Sequence, residues 1–301
     1  MSTYFPFDPN PQSPSEPPPP LSCDSQFHVY GSADKYPVKA GAAYEMPSAT
    51  WAAARRMHQK LGIQRGVIVQ ATTYGADHQV VLDALNALNQ DGAKNYRACA
   101  NAAVLLERDD AYLQVLNDAG VRGARFSRGG LGVSFDKGQL DRAFGRLREL
   151  GWYVKVQPER EGFAEQIKTY ANLDIPVLID HMGRANPAQG AADPGLRSVL
   201  DLLDKGNYWV MLSLGEKLSK KGAPWQDMVA VAQALIERAP DRCVWGTDWP
   251  HPLSVKPPAN DGALLELLYR YAPDPAMRKK VLVDNPARLF GFDTTSDSTQ
   301  P

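Results

Sequence analysis

Residues 23–31 read CDSQFHVYG, an apolar run interrupted by a glutamine and a histidine two places apart. Alternate residues of a β-strand point the same way, so Gln26 and His28 share one face at the end of such a strand. Two histidines here would let a pair of imidazoles bind one metal ion. With Gln26 in the first place only His28 supplies an imidazole, and the chemistry must come from elsewhere along the chain.

Seven further runs have the same form: GVIVQA (66–71), YRACANAAV (96–104), VRGARFS (121–127), WYVKVQ (152–157), VLIDHMG (177–183), YWVMLSL (208–214) and RCVWGTDW (242–249). Between them, segments 48–62, 78–90, 109–120, 140–151, 162–173, 195–206 and 227–239 carry apolar residues at i, i+3 and i+4, as amphipathic helices do. Several close on a glycine, the residue a helix C-terminus prefers. Strands alternating with crossover helices predict a parallel sheet, either a closed (β/α)8 barrel or an open doubly wound sheet.

Eight units favour the barrel, and the polar residues argue the same way. Gln26 and His28, Gln70 and Thr72, Asn101, Arg125, Gln157, His181 and Asp248 all lie near strand ends, where a barrel builds its active site. The predicted fold is α/β, a single-domain TIM-like (β/α)8 barrel over residues 22–291. A Pro-rich extension (1–21) precedes it, expected to run extended along the surface. A tail (292–301) follows, expected to be disordered.

With 44% hydrophobic and 22% charged residues in 301, the composition is that of a soluble globular protein. A net charge of −1 offers no basic stripe for a phosphate backbone, so no nucleic-acid partner is expected. No run approaches the ~20 apolar residues of a membrane span, and no secretory signal opens the chain. A cytoplasmic monomer is the expectation. Cys23, Cys99 and Cys243, widely spaced in apolar surroundings, read as reduced, buried thiols. Neither a dinucleotide nor a P-loop glycine pattern follows any strand.

IDHMGR (179–184) places His181 directly after an apolar run, and WGTDWPHP (245–252) places Asp248 after another. Alone, each suits a structural role, such as a core histidine or a turn aspartate. Together they supply imidazoles from strands 1 and 6 and a carboxylate from strand 8. A carboxylate base can take a proton from water while imidazoles polarise a carbonyl, an arrangement suited to hydrolysis.

From residue 22 to 291 the sequence resembles the amidohydrolase superfamily, amidohydrolase-related family 2, in the branch of 2-pyrone-4,6-dicarboxylate lactonase. CDSQFHVYG, GVIVQATTYGADH, GARF, VLIDHMGR, GAPW, VWGTDWPHP and NPARLFGF carry the resemblance. It implies that Asp248 is the base and that His28 and His181 polarise a lactone carbonyl. It also implies that Arg125 and Arg184 hold substrate carboxylates and that Tyr44 contacts substrate, while Lys217 stands where that lactonase has an arginine. Gln26 departs from the family histidine and Gln157 from a tyrosine, and Arg128 is a displaced arginine. With Thr72 these complete the expected substrate-binding set.

The implied substrate is a small anionic lactone. 4-Sulfomuconolactone, opened to maleylacetate and sulfite, comes first. 2-Pyrone-4,6-dicarboxylate and isomerisation of a galactarolactone are the alternatives, and a non-catalytic binding protein is the remaining reading. Gln26 is a poor ligand, and Arg125 stands where a metal-bridging lysine would be needed, against a two-metal centre. No cofactor is expected to be required, with one weakly held zinc ion on His28, His181 and Asp248 left open.

Overall fold

In the computed structural model, which describes residues 4–127, 131–132, 134–159 and 162–293, the eight apolar runs become eight parallel strands. They are β1 (Cys23–Phe27), β2 (Arg65–Val69), β3 (Tyr96–Asn101), β4 (Val121–Phe126), β5 (Tyr153–Val156), β6 (Val177–Ile179), β7 (Tyr208–Leu212) and β8 (Cys243–Trp245). Each pairs with its neighbour in sequence. Beyond β8 the chain returns to β1: the Asp248 N–H donates to the Gln26 carbonyl at 2.9 Å and the His28 N–H to the Trp249 carbonyl at 2.7 Å. The sheet thereby curls into the expected (β/α)8 barrel.

Outside it lie α1 (Trp51–Leu61), α2 (Gln79–Leu88), α3 (Asp110–Ala119), α4 (Lys137–Leu150), α5 (Phe163–Gln166), α6 (Pro194–Leu203), α7 (Asp227–Arg238) and α8 (Asp261–Tyr271), with α9 (Asn285–Phe290) closing the chain. Thr50, Asp109, Asp136, Asp193 and Asn260 cap the N-termini of α1, α3, α4, α6 and α8 with side-chain oxygens, satisfying backbone N–H groups that have no partner within the helix. The segment expected as one helix over 162–173 is instead the short α5 continued by a 3-10 turn, Ile167–Tyr170.

Side chains of one parity fill the barrel, among them Val67, Val69, Cys99, Leu178, Met211 and Val244. Phe290 and Phe292 plug the base, where the guanidinium groups of Arg65 and Arg97 each lie 5.1 Å from the Phe292 ring centre. The opposite parity packs under the helices. All three cysteines are buried and free. Among the described residues no helix is long and apolar enough to cross a membrane.

The N-terminal segment crosses α8. The Gln12 N–H donates to Asn260 Oδ1 at 2.8 Å, and the Tyr269 hydroxyl donates to the Glu16 carbonyl at 3.0 Å. Approach is so close that a Cβ on Gly262 would lie 2.2 Å from the Gln12 carbonyl oxygen.

Candidate active site

The site begins at an irregularity in β1, where the pairing with β2 shifts register between Asp24 and Phe27. Such a bulge re-aims side chains. Before it, Asp24 meets His58 of α1 at 3.2 Å; Gln26 within it and His28 after it both face Asp248. Across the seam, Gly246 admits β1 closely, since a Cβ there would lie 2.6 Å from the Gln26 nitrogen.

Asp24 ties the seam together. One oxygen accepts the N–H groups of Gln26 at 3.1 Å and Thr247 at 3.0 Å, and the other accepts the Thr247 hydroxyl at 2.6 Å. Thr247 Oγ1 in turn accepts the Trp249 N–H at 3.0 Å. Both neighbours of Asp248 are therefore fixed.

Asp248 is 5% exposed. Its Oδ1 accepts from Gln26 Nε2 at 2.8 Å and lies 3.3 Å from His28 Nε2, while Oδ2 lies 3.6 Å from Lys217 Nζ. Burial works to raise its pKa, but the hydrogen bond from His28 and the charge of Lys217 outweigh it and hold the carboxyl well below the ordinary range. His28 Nδ1 lies 2.7 Å from the Val69 carbonyl. A carbonyl only accepts, so Nδ1 donates to it, and Nε2 is the atom turned to Asp248.

From β6 comes His181, whose Nδ1 is 2.9 Å from Ser213 Oγ and whose Nε2 is 3.5 Å from Arg125 Nη2. Burial lowers its pKa to about 4, leaving a neutral ring. Arg125 Nε donates to Asp180 Oδ2 at 2.9 Å, and Lys155 Nζ lies 2.7 Å from Asp180 Oδ1. Tyr44 meets Thr72, whose hydroxyl donates to the Tyr44 oxygen at 3.2 Å.

His28, Tyr44, Thr72, Arg125, Gln157, His181, Arg184, Lys217 and Asp248 line one cavity of about 630 Å³. Gln26 is fully buried and touches this site through Asp248. Arg128 lies outside the described residues. Lys217 belongs to a single helical turn, Gly215–Leu218.

Sequence reasoning missed Lys155, Asp180, Ser213 and Glu216. Glu216 lines the cavity, and burial raises its pKa. Only strand parity would have flagged Lys155, two residues before Gln157. The apolar outer wall, including Leu131, Leu253 and Val255, also went unread. Six of the ten non-glycine residues with positive φ among those described line this cavity: His181, Arg184, Leu214, Trp225, Asp248 and Leu253. Left-handed backbone at such residues costs about 1–2 kcal/mol each, and strain of this kind concentrates at functional sites.

The donor set does not fit a metal. Both Asp248 oxygens face N–H donors, and a guanidinium stands beside His181 Nε2. Among the described residues no group of three or more His, Cys, Asp or Glu side chains is arranged to hold an ion.

The profile described as "Amidohydrolase" matches residues 23–292. The chain belongs to this amidohydrolase family. It is 35% identical to the 4-sulfomuconolactone hydrolase of Hydrogenophaga intermedia, over 91% of this chain and 89% of that protein. Identity is 34% to the 2-pyrone-4,6-dicarboxylate hydrolase of Comamonas testosteroni, over 93% of each. It is 29% to the D-galactarolactone isomerase of Agrobacterium fabrum, over 89% of this chain and 90% of that one.

Proposed function

We propose that this amidohydrolase opens a small anionic lactone by hydrolysis, with Asp248 as general base. One observation carries the reading: the Asp248 carboxylate shares a cavity with both imidazoles and with Arg125, Arg184 and Lys217. Asp248 takes a proton from water and the resulting hydroxide adds to the lactone carbonyl carbon. The ring C–O bond then breaks, and the departing oxygen receives the proton back from Asp248. A carboxyl held this acidic stays ionised through the working pH range and releases its proton readily in the second step.

Neutral His181 has one N–H. A guanidinium only donates, so Nε2 accepts from Arg125 Nη2 and that N–H sits on Nδ1, donated to Ser213 Oγ. The ring thereby holds the Arg125 guanidinium at the cavity as the donor offered to the oxyanion that forms at the carbonyl. No step needs a metal.

4-Sulfomuconolactone is our first substrate. Guanidinium groups grip oxyanions through paired hydrogen bonds, so a cavity with two arginines and a lysine suits a dianion. Two relatives named above also act, by their names, on dianionic lactones. Opening leaves a carbon bearing both hydroxyl and sulfonate; its C–S bond breaks to a ketone, giving maleylacetate, and sulfite departs.

The test is turnover of 4-sulfomuconolactone, 2-pyrone-4,6-dicarboxylate and galactarolactone in ¹⁸O-labelled water, with and without chelator. Sulfite release with one labelled oxygen in the organic product, unchanged by chelator, is expected. An unlabelled isomer would make the protein an isomerase, and loss of turnover on chelation would overturn the metal-free step.

A further inference from the structure

Inward residues of β5 alternate as Tyr153, Lys155 and Gln157, and of these Gln157 reaches the cavity. Lys155 lies one layer deeper, fully buried. Its Nζ is 2.7 Å from Asp180 Oδ1, and the other Asp180 oxygen accepts from Arg125 Nε at 2.9 Å. Arg125 is also the ladder partner of Lys155 on β4. Two cations thus stand side by side, spanned by one carboxylate that is itself fully buried.

One anion cannot neutralise two cations. The cluster keeps one positive charge in excess, and Arg125 is the member that lines the cavity. Paired with Asp180 alone, Arg125 would form a neutral ion pair with little field left for a ligand. Burying an ammonium in a low-dielectric interior is costly, and the Asp180 carboxylate that offsets it for Lys155 Nζ at 2.7 Å is shared with Arg125. A bound anion in the cavity would supply the missing compensation.

We infer that Lys155, which lines no part of the cavity, sets its anion affinity by sharing Asp180 and so leaving the Arg125 charge available to a substrate carboxylate or sulfonate. Lys155 acts through Arg125 and is a positioning residue. The inference rests on reading the cavity as an anionic-lactone site, and its test keeps the two separable.

Citrate, a small tricarboxylate, is the probe. It is titrated calorimetrically at low ionic strength into the parent protein, Lys155→Met, and Lys155→Met combined with Asp180→Asn. The first change removes a charge at nearly constant length. The second restores the excess of one, and the amide oxygen still accepts the Arg125 Nε–H.

Citrate affinity should fall roughly tenfold or more in the single variant and return to within about threefold of the parent in the double. With sulfomuconolactone as substrate, the Michaelis constant should follow the same pattern. A folded single variant with parental citrate affinity overturns the inference, as does a double variant no better than the single or a parent that binds no citrate. Should the single variant not fold, the double decides alone: parental affinity upholds the inference and a tenfold loss overturns it. The citrate pattern without lactone turnover would sink the lactone reading and leave the charge mechanism standing.

Discussion

At the scale of single residues, Asp248 has the clearest consequence. Asp248→Asn keeps the shape and the Gln26 contact but removes the base, so kcat should fall about 10²- to 10⁴-fold, and its amide hydrogens facing Lys217 should cost about 1–3 kcal/mol in urea unfolding. Near-normal turnover would dismiss the base assignment. Ser213→Ala removes the acceptor of the His181 Nδ1 proton, the contact that keeps Nε2 an acceptor for Arg125. A drop in kcat of roughly tenfold or more at nearly constant KM is expected from steady-state kinetics, as the Arg125 donor loses its anchor. The imidazoles and Asp248 were legible because each ends an apolar run. Ser213, Asp180 and Lys155 were not, because a serine or an internal ion pair reveals its purpose only when its partner on the next strand is known.

Among elements, the seam between β1 and β8 matters most, since it fixes the base in space. Asp24 holds two N–H groups and a hydroxyl there. Asp24→Asn keeps one acceptor but turns two amide hydrogens toward Thr247 and His58. Urea unfolding should show a loss of about 1–3 kcal/mol, and kcat should drop at least tenfold as Asp248 moves. Full activity with lowered stability would show that the seam is structural only. Strand order and barrel closure were readable from eight apolar runs with polar ends. The β1 bulge was not, because the shift between Asp24 and Phe27 shows only against the register of the neighbouring strand. Helix α8 escaped notice too: Asn260 caps it and its leucines are periodic, but it follows the last strand, beyond the alternation that located the other helices.

For the molecule as a whole, two buried neutral imidazoles govern acid stability. His78 is fully buried, its Nδ1 3.2 Å from the Ala76 carbonyl and its Nε2 accepting the Asn101 N–H at 3.1 Å. A second ring proton would meet that N–H head on. Burial lowers the pKa of His78 to about 4, and that of His181 likewise. In the unfolded chain both return to about 6.5. Between those values the unfolded state binds protons that the folded state refuses, so stability falls as pH drops from 6.5 to about 4 and is untouched by these groups above 6.5. A shift from 6.5 to about 4 corresponds to roughly 3 kcal/mol per ring at the acid end. His251 works in the opposite sense. Burial disfavours its charge, but Asp261 at 3.0 Å outweighs that and raises its pKa, so its contribution is complete below 6.5 and is lost as pH climbs through the raised value. Urea midpoints measured from pH 7 to 4.5 should therefore decline, and His78→Gln, whose amide supplies one donor and one acceptor without titrating, should roughly halve the decline. An unchanged slope in a folded His78→Gln protein would mean that the acid sensitivity resides elsewhere, since no other single substitution removes that proton site while keeping both hydrogen bonds.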